Sequence, residues 1–354
     1  MHGTNLRQIF QIALAWVILA MAEFGHSYGA LAAAGCPMST DQARIMFFTA
    51  IISGTLAGLI GGSLIVLVFR TWLRKLSYGA ALLRILISFS VVFFGISVIS
   101  GFYLHSSELD LPLGHSQVVG RVFSIFYELD SMRTYLFWLL VVLATTIGQL
   151  VNEKYGPGVF RDFLLGRYFR PRREERIFMF LDLRSSTTLA EQLGEGPYFL
   201  LIQELFRDLT APILKSKGQI YQYIGDEVVV SWNLKAGLEE GRCVQCFLDI
   251  QRLLGQRAPH YRQKFGVQPE FKAGLHYGHV MAGEVGVVKR EIAFSGDVLN
   301  TAARIQSKCN DLGVNLLFSE KLFQALPPTL QSAARALGAF SLRGKEAPVV
   351  MYTV

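Results

Sequence analysis

The sequence predicts two parts: an N-terminal membrane α-helical bundle of four spans, and after it an α/β (α+β) domain on the ferredoxin-like β-α-β-β-α-β plan. Three observations predict this. Hydrophobic residues make up 51% of the 354 residues, and the mean hydropathy is +0.35, high for a chain surrounded only by water. The long apolar runs fall before residue 152. From Arg176 onward, short β-type runs alternate with helical periodicity in the order strand, helix, hairpin, helix, strand.

The first four elements are apolar stretches at 8–28, 45–69, 80–104 and 134–151, each close to the roughly 20 helical residues that cross a bilayer core of about 30 Å. The first carries Glu23 and His26 near its end. It lacks a small-residue cleavage site after a short apolar core, so it does not read as a signal peptide. Arg70, Arg74 and Lys75 follow the second stretch, and Lys154, Arg161, Arg167, Arg170, Arg172 and Arg173 follow the fourth. Basic loops stay on the cytoplasmic side, whereas Glu108, Asp110, Glu128 and Asp130 mark an outer loop. The expected protein is therefore a multi-pass protein of the inner or plasma membrane, with its N-terminus and its second half in the cytoplasm. The formal net charge of +7 belongs with these loops facing lipid headgroups, and nucleic acid is not expected as a partner. Gly54, Gly58 and Gly62 form a G-x-x-x-G-x-x-x-G series, which lets helix backbones approach closely, either inside one bundle or between two copies of the chain. Charges within the spans are scarce, which argues against a transport pathway.

Residues 152–175, NEKYGPGVFRDFLLGRYFRPRREE, are a linker or coupling segment broken by Gly156, Pro157, Gly158 and Pro171. The organisation is thus 1–151 membrane domain, 152–175 linker, 176–354 soluble domain. In the last, RIFMFLDL reads as a strand, 188–214 as a helical stretch, IYQYIGDEVVVSW as a hairpin and about 240–262 as a helix. FKAGLHYG and HVMAGEVG read as two strands meeting near Gly278, REIAFSG as a strand, DVLNTAARIQSKC as a helix, and VNLLFS and PVVMYTV as closing strands. The four cysteines, Cys36, Cys243, Cys246 and Cys309, are too few for a disulfide framework. The C-x-x-C of Cys243 and Cys246 has no partner pair at zinc spacing and reads as core packing.

The chemistry lies at strand ends. Asp182 ends the first strand and Asp226 tips the hairpin, and in a ferredoxin-like sheet these strands are neighbours. Two carboxylates at one sheet end repel, and a divalent cation removes the conflict; Mg²⁺ favours one or two carboxylates plus phosphates. Ser185, Ser186 and Thr187 follow at a helix start, whose free N–H groups suit a phosphate. Glu227 reads as a flanking residue.

The pieces FLDLRSST, YIGDEVVVSW, AGLHYGHVMAGEVG, SGDVLNTAARIQ and LRGKE, in this order, make residues 176–354 resemble the class III nucleotidyl cyclases, the adenylate and guanylate cyclase catalytic domains. The resemblance implies that Asp182 and Asp226, with the Leu183 carbonyl, hold two Mg²⁺ or Mn²⁺ ions per active site. It implies that Asn300 orients the ribose, that Arg304 stabilises the transition state, and that Lys345, or Arg343 beside it, meets the β/γ-phosphates. It also implies a homodimer, each site taking its aspartates from one chain and Asn/Arg from the other. Gln222 and Ala293 fall where the family selects its purine, yet match neither the Lys with Asp or Thr of adenylate cyclases nor the Glu with Cys of guanylate cyclases. ATP is the expected substrate and GTP the alternative, singly or as a second substrate. A further alternative is a catalytically silent domain that binds nucleotide as a regulator.

Overall fold

The computed structural model describes residues 2–36, 39–64, 66, 77–124, 126–155, 166–288, 290–345 and 347–354. They fall into two compact units, Met1–Lys154 and Tyr155–Val354.

The first unit is helical: α1 (His2–Ala33), α2 (Thr40–Ser63), α3 (Tyr78–Leu109), the short α4 (Ser116–Ser124) and α5 (Leu129–Tyr155). The sequence led us to expect four spans, but among the described residues three helices are long and apolar enough to cross a membrane: Leu6–Ala33, Gly79–Ile99 and Ser131–Val151. The second expected span is only partly described. Its helix opens on the polar turn Thr40-Asp41-Gln42, its apolar part Ala50–Ser63 is too short, and residues 65 and 67–76 lie outside the described residues. The three qualifying helices expose apolar side chains along their length, among them Phe10, Leu14, Ile18, Ile87, Val91, Leu136 and Leu140. Inside the bundle, Trp16 donates from Nε1 to Thr145 Oγ1 at 3.2 Å, tying α1 to α5, and Ser90 and Tyr135 share a 2.8 Å hydroxyl contact between α3 and α5.

The glycine series has its partner within the chain. A Cβ at Gly58 would lie 2.7 Å from Ala13 Cα, and one at Gly54 would lie 2.9 Å from Ala20 Cβ. Gly62 backs onto Ile12, where a Cβ would come within 3.2 Å of Cγ2. This face of α2 is filled by α1, which agrees with packing inside one bundle, the first of the two alternatives that the spacing of Gly54, Gly58 and Gly62 left open.

The second unit is built on β1 (Arg172–Leu183), α6 (Ser186–Leu193), α7 (Glu195–Lys215), β2 (Gln219–Ile224), β3 (Glu227–Asn233), α8 (Leu234–Leu238), α9 (Arg242–Phe265), β4 (Phe271–Val285), β5 (Glu291–Ser295), α10 (Asp297–Asp311), β6 (Leu316–Ser319), α11 (Glu320–Ala325), α12 (Pro328–Ala333), β7 (Arg335–Phe340) and β8 (Val349–Thr353). The sheet order is β2-β3-β1-β4-β6-β8-β7, with β5 paired to β4. Its β2-β3-β1-β4 part, with β1 antiparallel to both neighbours, is the expected ferredoxin-like sheet.

Three details differ from the sequence reading. The helical stretch 188–214 is two helices, parted at Gly194, whose φ of 75° a residue with Cβ adopts only under strain. The two strands expected to meet near Gly278 are one strand of 15 residues, β4. Gly278 is there because a Cβ would lie 2.7 Å from Val298 of α10. Finally β7, whose exposed edge has little apolar alternation, escaped the pattern altogether.

β1 is buried on both faces, which explains its unbroken apolar run. Ile177, Met179, Leu181 and Leu183 join Leu201 and Leu205 of α7 and Phe247 and Ile250 of α9 in one core. Phe178 and Phe180 join Val229, Val280, Val298 and Ala302 in a second core beneath α10. Asp182 continues the even-numbered face, so it emerges on the side that α10 covers.

Candidate active site

Alternation in β1 sets the first residue of the site, and cross-strand register sets its neighbours. Asp182 lies opposite Glu227 on β3 and opposite Lys272 on β4, so one row across three strands reads Lys272, Asp182, Glu227. Asp226 precedes Glu227 in the two-residue turn between β2 and β3. Gly225 supplies a φ of 61° there, while Asp226 needs no positive φ, the pattern of a II′ hairpin turn. The turn holds Asp226 at the end of a rigid hairpin.

Asp182 Oδ2 accepts from Lys272 Nζ at 3.1 Å and from Gln306 Nε2 of α10 at 2.8 Å. Asp226 is served differently. Its Oδ2 is buried and, among the described residues, is the buried side-chain oxygen without a hydrogen-bond partner. A buried carboxylate oxygen left unpaired is costly unless a cation completes it. The surrounding titrations carry the same message. Burial pushes the Asp182 carboxyl above the usual carboxylate range and Asp226 pushes it further, against the pull of Lys272 and Gln306. Burial, then Asp182 and Asp226, raise Glu227 to about 7. Burial and then Asp226 raise the phenol of Tyr198, which is hydrogen-bonded to Ser186. The local surplus of negative charge and all-oxygen donors fit a hard divalent cation such as Mg²⁺ or Mn²⁺. Leu183 packs its side chain into the core, so only its backbone is available to such an ion.

Ser185 is in the left-handed region, φ 53°, and caps α6 without a side-chain hydrogen bond to its first turn. The N–H groups of the Ser186–Thr187 turn therefore stay available beside the aspartates.

Asn300 and Arg304 stand on α10, but on the side away from Asp182. Ala302 and Gln306 face the sheet and are buried, and positions two residues off are turned by about 200°; Asn300 is exposed and Arg304 half-buried. The structure thus separates these two from the aspartates of the same chain. It does bring Arg304 and the LRGKE loop together, since a Cβ at Gly344 would lie 3.3 Å from Arg304 Nη1. Lys345 donates to Asp297 at the start of α10, and this contact holds the Asp297 carboxyl below its ordinary range. His276, with Nδ1 2.7 Å from Ser319 Oγ, is pushed down to about 4 by burial and then by Lys321 and Lys345.

Gln222 is exposed on β2, where a bulge between Ile220 and Gln222 shifts the register and places Gln222 opposite Val229. Val229 belongs to the core beneath α10, so Gln222 faces the same side of the sheet as Asp182. Ala293, on β5, lies opposite Gly283.

Sequence reasoning missed Lys272, Gln306 and Tyr198, and dismissed Glu227. The signal for Lys272 was its charge inside FKAGL, an otherwise apolar strand; register then makes it the partner of Asp182. That register also corrects Glu227 from a flanking residue to a half-buried member of the acidic group.

The site thus combines a central antiparallel strand ending in a paired aspartate, a hairpin-tip aspartate with an unmet oxygen, and a helix presenting Asn and Arg on its opposite face. Residues 170–354 match the Adenylate and Guanylate cyclase catalytic domain, and the chain belongs to that family. It is 34% identical over 221 residues to Adenylate cyclase 2 of Rhizobium meliloti (strain 1021), covering 61% of either chain. Adenylate cyclase 1 of the same organism is 27% identical over 188 residues, 51% of this chain and 28% of that one. This chain thus spans less than two thirds of the length of either relative. A solved bacterial light-regulated adenylyl cyclase superposes with a TM-score of 0.53 at 26% identity, covering 64% of this chain and 65% of that one.

Proposed function

We propose that this chain is a membrane-anchored class III adenylate cyclase that converts ATP to 3′,5′-cyclic AMP and pyrophosphate as a homodimer. The observation that carries the reading is the unmet, buried Asp226 Oδ2 beside Asp182 in a domain of this family. Asp182, Asp226 and the Leu183 carbonyl would hold two Mg²⁺ or Mn²⁺ ions, which supply charge neutralisation and acidify a ribose hydroxyl. The ribose 3′-oxygen forms a bond to the α-phosphorus, the bond from that phosphorus to the bridging oxygen breaks, pyrophosphate leaves and the 3′-hydroxyl proton passes to water.

The chain's own residues divide the remaining work. Ser185, Ser186 and Thr187 offer hydroxyl and N–H donors to the triphosphate at the start of α6. Lys345 exchanges Asp297 for the β/γ-phosphates. Asn300 orients the ribose, and Arg304, already packed against the loop of Lys345, meets negative charge as it develops on the α-phosphoryl group. Because α10 turns Asn300 and Arg304 away from Asp182, these two serve the aspartates of a second copy, and the homodimer holds two sites. Three apolar helices with lipid-like outer faces support anchoring in a membrane, with the cyclase unit in the cytoplasm where ATP is found. Residues 152–175 then couple the two units.

Two relatives carry the name adenylate cyclase, which favours ATP. Gln222 gives a specific reason to weigh GTP, since its amide can accept from one purine edge and donate to another by turning over. Membranes carrying the protein, given Mg²⁺ or Mn²⁺ with ATP, GTP or both, should form cyclic AMP in excess. Equal cyclic AMP from wild type, Asp182→Asn and Asp226→Asn would defeat the reading; cyclic GMP in excess would move it to a guanylate or dual-purine cyclase.

A further inference from the structure

Arg176 is a buried charge that the reaction does not use. It sits near the middle of β1, 2% exposed, far along the strand from Asp182. Its guanidinium gathers parts of the unit that are distant in sequence. Nε donates to Glu174 at 2.8 Å, Nη1 to Gln219 of β2 at 2.9 Å and to Ser231 of β3 at 3.2 Å, and Nη2 to the Tyr168 hydroxyl at 3.3 Å. Its flat face lies 4.5 Å from the centre of the Phe294 ring on β5. One carboxylate and three neutral oxygens take four of its five N–H groups, a network that strand packing alone would not need, since an apolar side chain would pack there as well.

The groups it holds flank the purine-facing positions. Gln219 leads into the β2 bulge that carries Tyr221 and Gln222, and Phe294 follows Ala293. β2 and β5 are not neighbours in the sheet, yet the Phe294 N–H donates to the Tyr221 hydroxyl at 3.4 Å and the two rings meet edge-on at 5.1 Å. Arg176 stacks on the far end of this bridge. Its last ligand, Tyr168, is 4% exposed and belongs to the segment that leads into the unit. That segment is pinned by the Glu284 N–H, which donates to the Tyr168 carbonyl at 3.1 Å, and by Pro171, which covers Gly283 so closely that a Cβ there would come within 3.3 Å.

We propose that Arg176 is a positioning residue for purine recognition: it fixes the β2 bulge bearing Gln222 against the β5 strand bearing Ala293, and Tyr168 holds it in that pose. Purine affinity is then coupled to the seating of residues 166–171, while Asp182, Asp226 and the start of α6 stand apart from the brace. The inference rests on the proposed cyclase reading, in which Gln222 and Ala293 face the base.

The test uses the full chain in detergent micelles, with KM and kcat for ATP and GTP and the inhibition constant of inorganic tripolyphosphate, which has the phosphates and no purine. Tyr168→Phe, which removes one hydroxyl, should raise the KM for ATP about threefold with kcat within about twofold. Arg176→Met should raise it about tenfold and change the ATP:GTP ratio, with tripolyphosphate inhibition within about twofold of wild type. Unchanged KM in both variants overturns the proposal. So does equal weakening of ATP and tripolyphosphate, which marks Arg176 as a general brace. If Arg176→Met fails to fold, Tyr168→Phe decides alone. If the wild type forms no cyclic nucleotide, the cyclase reading fails separately. Equilibrium binding of ATP against tripolyphosphate to the same proteins then tests Arg176 by the same two criteria.

Discussion

The acidic end of the sheet and the basic flank of α10 move their titratable groups in opposite directions. At the first, burial and mutual repulsion raise Asp182 and Glu227. At the second, Lys345 lowers Asp297, and burial followed by Lys321 and Lys345 lowers His276. One region is short of positive charge and the other is short of negative charge. In the proposed reading a metal-bound triphosphate would meet both needs, its cations at the aspartates and its phosphates at Arg304 and Lys345. The difference also shows why one chain is half a machine in the proposed reading: the two regions stand on opposite sides of α10.

The largest effect is expected from breaking the acidic end. Asp182→Asn and Asp226→Asn should each lower kcat by about a thousandfold or more, because each removes charge from the proposed cation site. Calorimetric titration with Mn²⁺ should show weakened binding in both, a readout independent of turnover. Arg304→Ala should match them in kcat while leaving Mn²⁺ binding unchanged. If Arg304→Ala weakened Mn²⁺ as much as Asp226→Asn does, the two regions would not be separate.

Mixing sharpens the same contrast. In the proposed homodimer Asp182→Asn and Arg304→Ala should each be inactive alone, but a heterodimer of the two would have one site with every residue intact. Random pairing should return about a quarter of wild-type activity, since half the dimers are mixed and each has one good site of two. No recovery after co-expression, with dimers shown by cross-linking, would mean that one chain supplies its own Arg304.

The acidic end was the more legible of the two regions in the sequence. Asp182 and Asp226 stand out as charges against apolar strands, and strand alternation fixes which way they point. What the sequence hid depends on register and on helix phase. Lys272 and Glu227 become neighbours of Asp182 only once three strands are aligned, and Gln306 only once α10 lies over them. In the helical unit, three of the four expected spans qualify among the described residues, and the glycine-bearing face of α2 packs on α1. The glycine spacing was visible; its partner helix was not.

A smaller effect should come from the purine side. Gln222 is exposed on a bulged edge strand, so a new side chain there disturbs little of the core. Gln222→Lys replaces an amide that can turn over with a donor that cannot accept, and should change the ATP:GTP ratio of kcat/KM by about tenfold in favour of ATP. An unchanged ratio would place purine selection elsewhere than Gln222.

The smallest effect is on stability, and it reports on the basic flank. His276 is held neutral, with its value pushed down to about 4 from an ordinary 6.5. An unfolded chain therefore binds a proton between these values that the folded chain refuses, and stability falls as pH drops through this window. From pH 7 to 5.5 the loss assigned to His276 is about 1 kcal/mol. Carboxylates elsewhere add their own slopes, so the quantity to measure is the difference between wild type and His276→Asn in denaturant midpoint at the two pH values. The wild type should lose more stability than the variant on acidification. The gap should narrow when Lys321 and Lys345 are both changed to Met, because two of the charges that depress His276 are then gone. Equal slopes in wild type and His276→Asn would show that the basic flank does not control this histidine, and the contrast between the two regions would then rest on the acidic end alone.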